Sequence, residues 1–315
     1  MVFLLSVTWS LPKKEHHPEG EFKITEEKHM KIGLVMEGGA MRGMFTAGVT
    51  DVLMENNISF DAAIGVSAGA TFGCNVKSRQ PGRAIRYNKK YCTDWRYGSI
   101  RSFLHSGSVF DYDFCYHLLP EKLDPFDTDT FSTNPMPFYV VASDLESGRP
   151  VYKLLETGKG KDLAWICASA SMPLVSKTVL LEGHKYLDGG ITDSIPLAFF
   201  ESIGYARNLV IETQPEDYIK QPNGLMPLIR TRYRAYPRFV AAMENRHLMY
   251  NQETAYVKEQ EAAGKAFVIR PPEALNISSM TTDPSELQRV YMTGRKAAEK
   301  ALPALVRFLD MEISS

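Results

Sequence analysis

Ile32-Gly33-Leu34-Val35-Met36-Glu37-Gly38-Gly39-Ala40-Met41-Arg42-Gly43 is an apolar pentapeptide that runs straight into a glycine-rich turn. A short continuous apolar run closed by a turn signal fits a buried parallel strand. Phe45, Val49, Val52 and Leu53 follow at i, i+4, i+7 and i+8, the stripe of an amphipathic helix that Asn56-Asn57 stops. Ala62-Ala63-Ile64-Gly65-Val66 is a second run of the first kind. Strand, helix and strand in so short a span make a βαβ unit, with parallel neighbouring strands and the crossover helix packed on the sheet.

The same reasoning places further strands at 138–142, 151–154, 178–181, 208–212 and 266–269, with helices between many of them. Leu287, Val290, Tyr291, Ala298, Leu302, Leu305 and Phe308 set one or two closing helices over 285–309. There is no internal repeat and no low-complexity linker. Residues 30–311 therefore read as a single α/β domain with a C-terminal helical part, and residues 1–29 as a loosely held extension in which 13–28 form a polar lead-in.

Composition narrows the function. The chain has 36 Lys+Arg against 37 Asp+Glu, a formal net charge of −1, which leaves no field to gather nucleic acid. No apolar run approaches the about 18 residues that span a bilayer; the longest stretch of low polarity, Ala62 to Cys74, is broken by Gly and Ser. Cys74, Cys92, Cys115 and Cys167 stand apart without a C-x-x-C pair, which argues against a disulfide framework or a zinc knuckle and for a reducing, cytoplasmic setting. The apolar start Val2–Val7 lacks the basic flank and small-residue cleavage site of a signal peptide. No ligand cluster suggests calcium or another metal, and no cofactor is expected. The G-x-G-x-x-G dinucleotide fingerprint fails at Ala40, and no phosphate-binding P-loop is present.

The chemistry sits in three turns. Gly65-Val66-Ser67-Ala68-Gly69 fits G-x-S-x-G between a strand and a helix start, where a serine hydroxyl is held on a tight turn beside a helix N-terminus that favours negative charge. Read without a function, Ser67 is a capping serine in a glycine-rich turn. Gly38, Gly39, Ala40, Arg42 and Gly43 end the neighbouring strand, so their backbone N–H groups belong near Ser67, where an oxyanion needs donors. Arg42 either braces that loop or meets an anionic head group. In Asp188-Gly189-Gly190 a carboxylate ends an apolar run; it is a plain turn, or a base for Ser67 if the fold brings the two together.

Taken in order, these three motifs resemble those of the patatin-like phospholipases, the bacterial patatin-like proteins in particular. Val141-Ala142-Ser143-Asp144-Leu145-Glu146-Ser147-Gly148 and Ala168-Ser169-Ala170-Ser171-Met172-Pro173 are similar to two flanking segments of that family. The likeness spans about 32–212 and continues more weakly through Ile269-Arg270-Pro271-Pro272. It implies a three-layer α/β/α sandwich with a mostly parallel central sheet and lipolytic acyl-ester hydrolysis through an acyl-enzyme. It further implies a Ser67–Asp188 dyad, with the oxyanion hole in the glycine-rich loop. The departure is Ala40, where the family usually has a third glycine; its N–H survives.

Two alternatives stay open. An α/β-hydrolase would take its triad as Ser67, Asp188 and His247, although His247 has no motif around it and reads as a surface helical residue. A silent lipid-binding or regulatory protein would keep the fold without turnover. Arg230, Arg232, Arg234 and Arg238, interleaved with Tyr233, Tyr236 and Pro237, form a basic-aromatic stretch. It is either a solvated helix face or a lip over the site that touches anionic lipid. Leu225-Met226-Pro227-Leu228-Ile229 before it is core, or the edge that covers an acyl pocket, so 225–238 is the expected place of peripheral membrane contact. Acyl transfer to an alcohol in place of water fits the same motifs, and the ester, the acyl-chain length and the oligomeric state are not written in the sequence.

Overall fold

The computed structural model describes residues 30–310, so the extension expected at 1–29 lies outside the described residues. The chain begins with β1 (Ile32–Met36), α1 (Gly43–Glu55), β2 (Ala62–Val66), α2 (Ala68–Lys77), α3 (Arg83–Tyr91), α4 (Ile100–Ser106) and α5 (Thr128–Thr133). It continues with β3 (Phe138–Asp144), β4 (Pro150–Leu155), α6 (Lys161–Ala170), β5 (Val179–Leu181), β6 (His184–Asp188) and α7 (Leu197–Ser202). It closes with β7 (Arg207–Ile211), α8 (Met226–Arg232), α9 (Pro237–Ala262), β8 (Ala266–Ile269) and α10 (Pro284–Asp310).

The eight strands form one sheet in the order β5-β6-β3-β2-β1-β7-β8, with β4 paired to β3 off this path. The five central strands β3-β2-β1-β7-β8 are mutually parallel, while β4, β5 and β6 add antiparallel pairs at one end. β5 and β6 are joined through Glu182 (φ 52) and Gly183 (φ 86), the two positive-φ residues that a tight hairpin turn needs.

Strand side chains alternate between two cores, the period of two that a pleated strand imposes. Leu34, Met36, Ala63, Leu209 and Ile211 pack with Phe45 and Val52 of α1, Phe72 of α2, Trp165 of α6 and Leu287 and Val290 of α10. Val35, Ile64, Val66 and Val210 face Leu197 and Phe200 of α7 and Tyr250 and Val257 of α9. Helices thus cover both faces, giving the three-layer sandwich with a mostly parallel central sheet. α1 and α10 meet backbone to backbone: a Cβ on Gly48 would lie 2.1 Å from Tyr291 O, and one on Gly294 2.1 Å from Phe45 O. The C-terminal helix is therefore seated directly on the first crossover helix.

One detail of register places the site. Val66 of β2 is paired with Val141 of β3, and the next residue of β3, Ala142, is paired with both Val151 of β4 and Asp188 of β6. β4 and β6 therefore take opposite edges of β3. Because β4 also lies opposite β2 along Phe138–Val141, β6 occupies the edge that β2 leaves at Val66. The end of β6 abuts the end of β2.

Candidate active site

Ser67 is the single residue between β2 and α2, with φ 53 and ψ −117. A non-glycine residue in this region costs of order 1–3 kcal/mol and persists only where its surroundings enforce it. Here the enforcement is steric. A Cβ on Gly65 would lie 2.4 Å from Gly69 O, and one on Gly69 2.3 Å from Met36 O, so the bend closes only with glycine at both positions. Ser67 N–H donates to Ser169 Oγ at 2.9 Å. Ser169, in the segment that leads to Met172-Pro173, is thus a supporting residue that the motif reading did not single out.

Asp188 ends β6. Its Oδ2 accepts the Ser67 hydroxyl at 2.6 Å and its Oδ1 accepts Gly190 N–H at 2.8 Å. Its own N–H donates to Ser171 O at 2.8 Å, and its carbonyl accepts Ser143 Oγ–H at 2.7 Å. The carboxyl is buried, and burial raises its pKa above the ordinary 3.8. The Ser67 hydrogen bond, the Arg246 guanidinium, Gly190 N–H and Lys220 act against that rise. Just beyond the turn, Asp193 Oδ2 accepts the Tyr152 hydroxyl at 2.7 Å, while Glu253 of α9 accepts Ser194 N–H at 3.1 Å. Burial and the mutual repulsion of these two carboxyls hold a proton on Glu253, pushed up to about 9.

The glycine-rich loop lies against Ser67: a Cβ on Gly38 would come within 3.0 Å of Ser67 Cβ. Within the loop, Arg42 N–H is taken by Gly39 O, and Gly43 N–H by Ala40 O and Met41 O. Those two backbone groups, expected among the oxyanion donors, are used inside a 3₁₀ turn over Ala40–Arg42. Gly38, Gly39 and Ala40 N–H have no hydrogen-bond partner among the described residues. Ala40 sits at φ 47, a left-handed conformation that glycine adopts more readily than alanine. Glu37, a residue given no role by the sequence, anchors the loop from beneath. Its Oε2 accepts Thr213 N–H and its Oε1 the Tyr250 hydroxyl at 2.9 Å, tying the end of β1 to β7 and α9. Burial raises the Glu37 carboxyl, with Arg42 the main opposing charge.

The triad alternative is not assembled. His247 is half-buried in α9, not a surface residue, and its Nδ1 has no hydrogen-bond partner among the described residues. Both Asp188 oxygens are held by Ser67 and Gly190 instead. Among the described residues no group of three or more His, Cys, Asp or Glu side chains is placed to hold a metal, and no helix is long and apolar enough to cross a membrane.

Ser67 opens onto a cavity of about 610 Å³. Its far walls come from the segment between α3 and β3 and from α6, including Tyr97, Cys115, Leu119, Ile166 and Cys167. Burial pushes the thiols of Cys74 and Cys167 in this wall up to about 11 and about 12, so they line it as neutral groups. In the sequence Leu225–Ile229 reads as core or as the edge that covers an acyl pocket, and 225–238 as the place of membrane contact. None of those residues lines the cavity. Met226, Ile229 and Tyr233 instead pack with Leu187 and Ile191, bracing the Asp188 turn, and Tyr233 Oη accepts Leu174 N–H at 3.2 Å. The other face of the stretch, with Leu225, Leu228 and Arg230, is exposed, and Arg230 Nε donates to Glu244 Oε1 at 2.6 Å. Amphipathic alternation on a short helix explains why both readings were open from the sequence.

Comparison with known proteins places this arrangement. The chain is 28% identical over 289 residues to the uncharacterized protein YjjU of Escherichia coli K12, covering 89% of this chain and 79% of that one. It is 22% identical over 293 residues to lysophospholipase NTE1 of Coccidioides immitis, covering 87% of this chain but 18% of that much longer protein. Among solved structures, VipD from Legionella pneumophila matches with a TM-score of 0.46 and 14% identity, covering 87% of this chain and 67% of that one. A model described as a domain of unknown function, DUF6363, matches residues 236–310. The patatin-like phospholipase model matches residues 34–200, over half of the chain and the stretch that holds both Ser67 and Asp188, and the chain belongs to that family.

Proposed function

We infer that this protein is a lipolytic acyl hydrolase with Ser67 as nucleophile and Asp188 as base. The observation that carries the reading is the 2.6 Å hydrogen bond from Ser67 Oγ to Asp188 Oδ2 at the wall of a largely apolar cavity. In the first half-reaction Ser67 Oγ attacks the ester carbonyl carbon and its proton passes to Asp188 Oδ2. Gly38, Gly39 and Ala40 N–H receive the developing oxyanion, donors fixed in place before the charge appears. Collapse of the tetrahedral intermediate expels the alcohol, which takes the proton from Asp188 and leaves the acyl group on Ser67. In the second half a water gives a proton to Asp188 and attacks the acyl carbon. Ser67 then leaves with that proton and the fatty acid is free.

The cavity suits the acyl chain, since aromatic, aliphatic and neutral thiol groups make up much of its wall, with charged groups such as Asp111, Asp113 and Lys177 also among its lining. Carboxylesters of fatty acids, phospholipid and lysophospholipid among them, are the substrate class. The test is intact-mass and peptide mapping after exposure of the pure protein to a long-chain fluorophosphonate, which labels a serine activated beside a working oxyanion hole. A single adduct on Ser67 supports the reading. A folded protein that takes up none is a binding protein on this fold, not a hydrolase.

A further inference from the structure

A second cavity, of about 360 Å³, lies on the α9 side of the Asp188 turn and is lined by Lys220, Arg246, Tyr218, Asn223 and Met243 among others. No Asp or Glu lines it. Two cations converge there with no carboxylate in the lining, and neither Lys220 Nζ nor the Arg246 guanidinium has a salt bridge within 4.0 Å among the described residues. The nearby carboxyls are already engaged, Asp188 by the Ser67 hydroxyl and Gly190 N–H, Glu37 by Thr213 N–H and the Tyr250 hydroxyl, and Glu253 by Ser194 N–H.

Both cations are held in place. Lys220 Nζ sits 4.2 Å from the centre of the Tyr250 ring. Its backbone is clamped to α9 from both sides, its N–H donating to Asn251 Oδ1 at 2.9 Å and its carbonyl accepting Asn251 Nδ2–H at 3.1 Å. Arg246 Nε donates to Gly190 O at 2.6 Å, which fixes the guanidinium at the Asp188 turn with its terminal nitrogens free of hydrogen bonds among the described residues. Burial, then repulsion by Arg246, pushes the Lys220 ammonium down to about 8 against the attraction of Glu37 and Glu253.

We propose that Lys220 and Arg246 form a subsite for a phosphoryl group beside the Asp188 turn. The inference deepens the hydrolase reading and rests on it for the role, but not for the existence, of the site. A phosphate held there belongs either to the head group of the ester whose acyl chain enters the larger cavity, or to free phosphate that regulates access.

The test is calorimetry on the full chain with glycerol 3-phosphate, inorganic phosphate and glycerol, which needs no turnover and so survives a failure of the hydrolase reading. The wild type is expected to bind glycerol 3-phosphate and not glycerol. Lys220→Gln and Arg246→Gln each weaken that binding about tenfold or more, the loss of one charge-assisted contact, while Lys220→Arg keeps most of it. A second arm compares lysophosphatidylglycerol with the monoacylglycerol of the same chain. If Lys220→Gln raises KM for the first about tenfold relative to the second, the phosphate is the head group's. If that ratio is unchanged and inorganic phosphate binds as tightly as glycerol 3-phosphate, the site serves free phosphate. Equal affinity in the wild type and in a folded Lys220→Gln variant, or no binding of either phosphate, overturns the proposal.

Discussion

Ser67 Oγ and Asp188 Oδ2 lie 2.6 Å apart although 121 residues separate them in the chain. The contact follows from consecutive residues of one strand: Val141 pairs with the residue before Ser67, and Ala142 pairs with Asp188 itself. A carboxylate buried at that point has one hydroxyl and one backbone N–H to satisfy it, and no histidine intervenes.

The direct contact separates two mechanisms. Asp188→Asn is expected to lower kcat/KM on a simple ester by about 10²–10⁴-fold, the usual contribution of a positioned proton acceptor, and Ser67→Ala, which removes the nucleophile itself, by at least as much. His247→Ala is expected to keep most of the activity, because His247 donates to neither oxygen of Asp188. Steady-state kinetics of the three variants check this, and a dead His247→Ala beside an active Asp188→Asn would sink the dyad.

With Asp188 as the base, its acidity is expected to set the acid limb of the pH profile. Burial raises its pKa above 3.8, and a protonated Asp188 cannot accept the Ser67 proton, so activity falls as pH drops through that raised value. The acid midpoint of kcat/KM is therefore expected above 3.8. Arg246 favours the ionised carboxylate, so Arg246→Gln is expected to move the midpoint further up. A limb that stays put in that variant would leave the guanidinium without an electrostatic role there.

With the acyl chain in the larger cavity, its wall is expected to govern chain length. Cys115→Phe adds a ring to the interior lined by Leu119 and Cys167, and nothing in the dyad changes. Hydrolysis of a long-chain ester is expected to fall by about tenfold or more relative to a butyrate ester, the scale on which apolar pockets discriminate by size. Chain-length profiles that coincide for wild type and variant would place the acyl chain elsewhere.

Stability carries its own pH signature through Glu253. Its folded-state pKa is raised, by burial and by Asp193, to about 9 from 4.5. The folded state therefore binds the proton more tightly than the unfolded chain does. That contribution is complete below 4.5 and is lost as pH rises toward about 9. Denaturant unfolding at about pH 5.5 and about pH 8.5 should show a larger loss for the wild type than for Glu253→Gln, which has no proton to release. Parallel losses in both proteins would contradict the assignment.

Local pattern alone determined the βαβ unit from Ile32 to Val66, the strand at 138–142 and the glycines that frame Ser67, because each is written in residues a few positions apart. It also marked Asp188 as the residue that ends an apolar run. Three other features were decided only in three dimensions. The approach of Asp188 to Ser67 depends on β6 taking the edge of β3 that β2 vacates, a pairing between distant strands with no local periodicity. The acyl-sized cavity takes its far wall from α4, α6 and the residues around Cys115 and Leu119, whose polar and apolar positions carry no cavity signal in sequence. Lys220 and Arg246 come together because α9 docks its sparse buried face, Phe239, Met243, Tyr250 and Val257, behind the sheet. Sequence periodicity reports which face of an element is buried; only packing decides which other element that face meets.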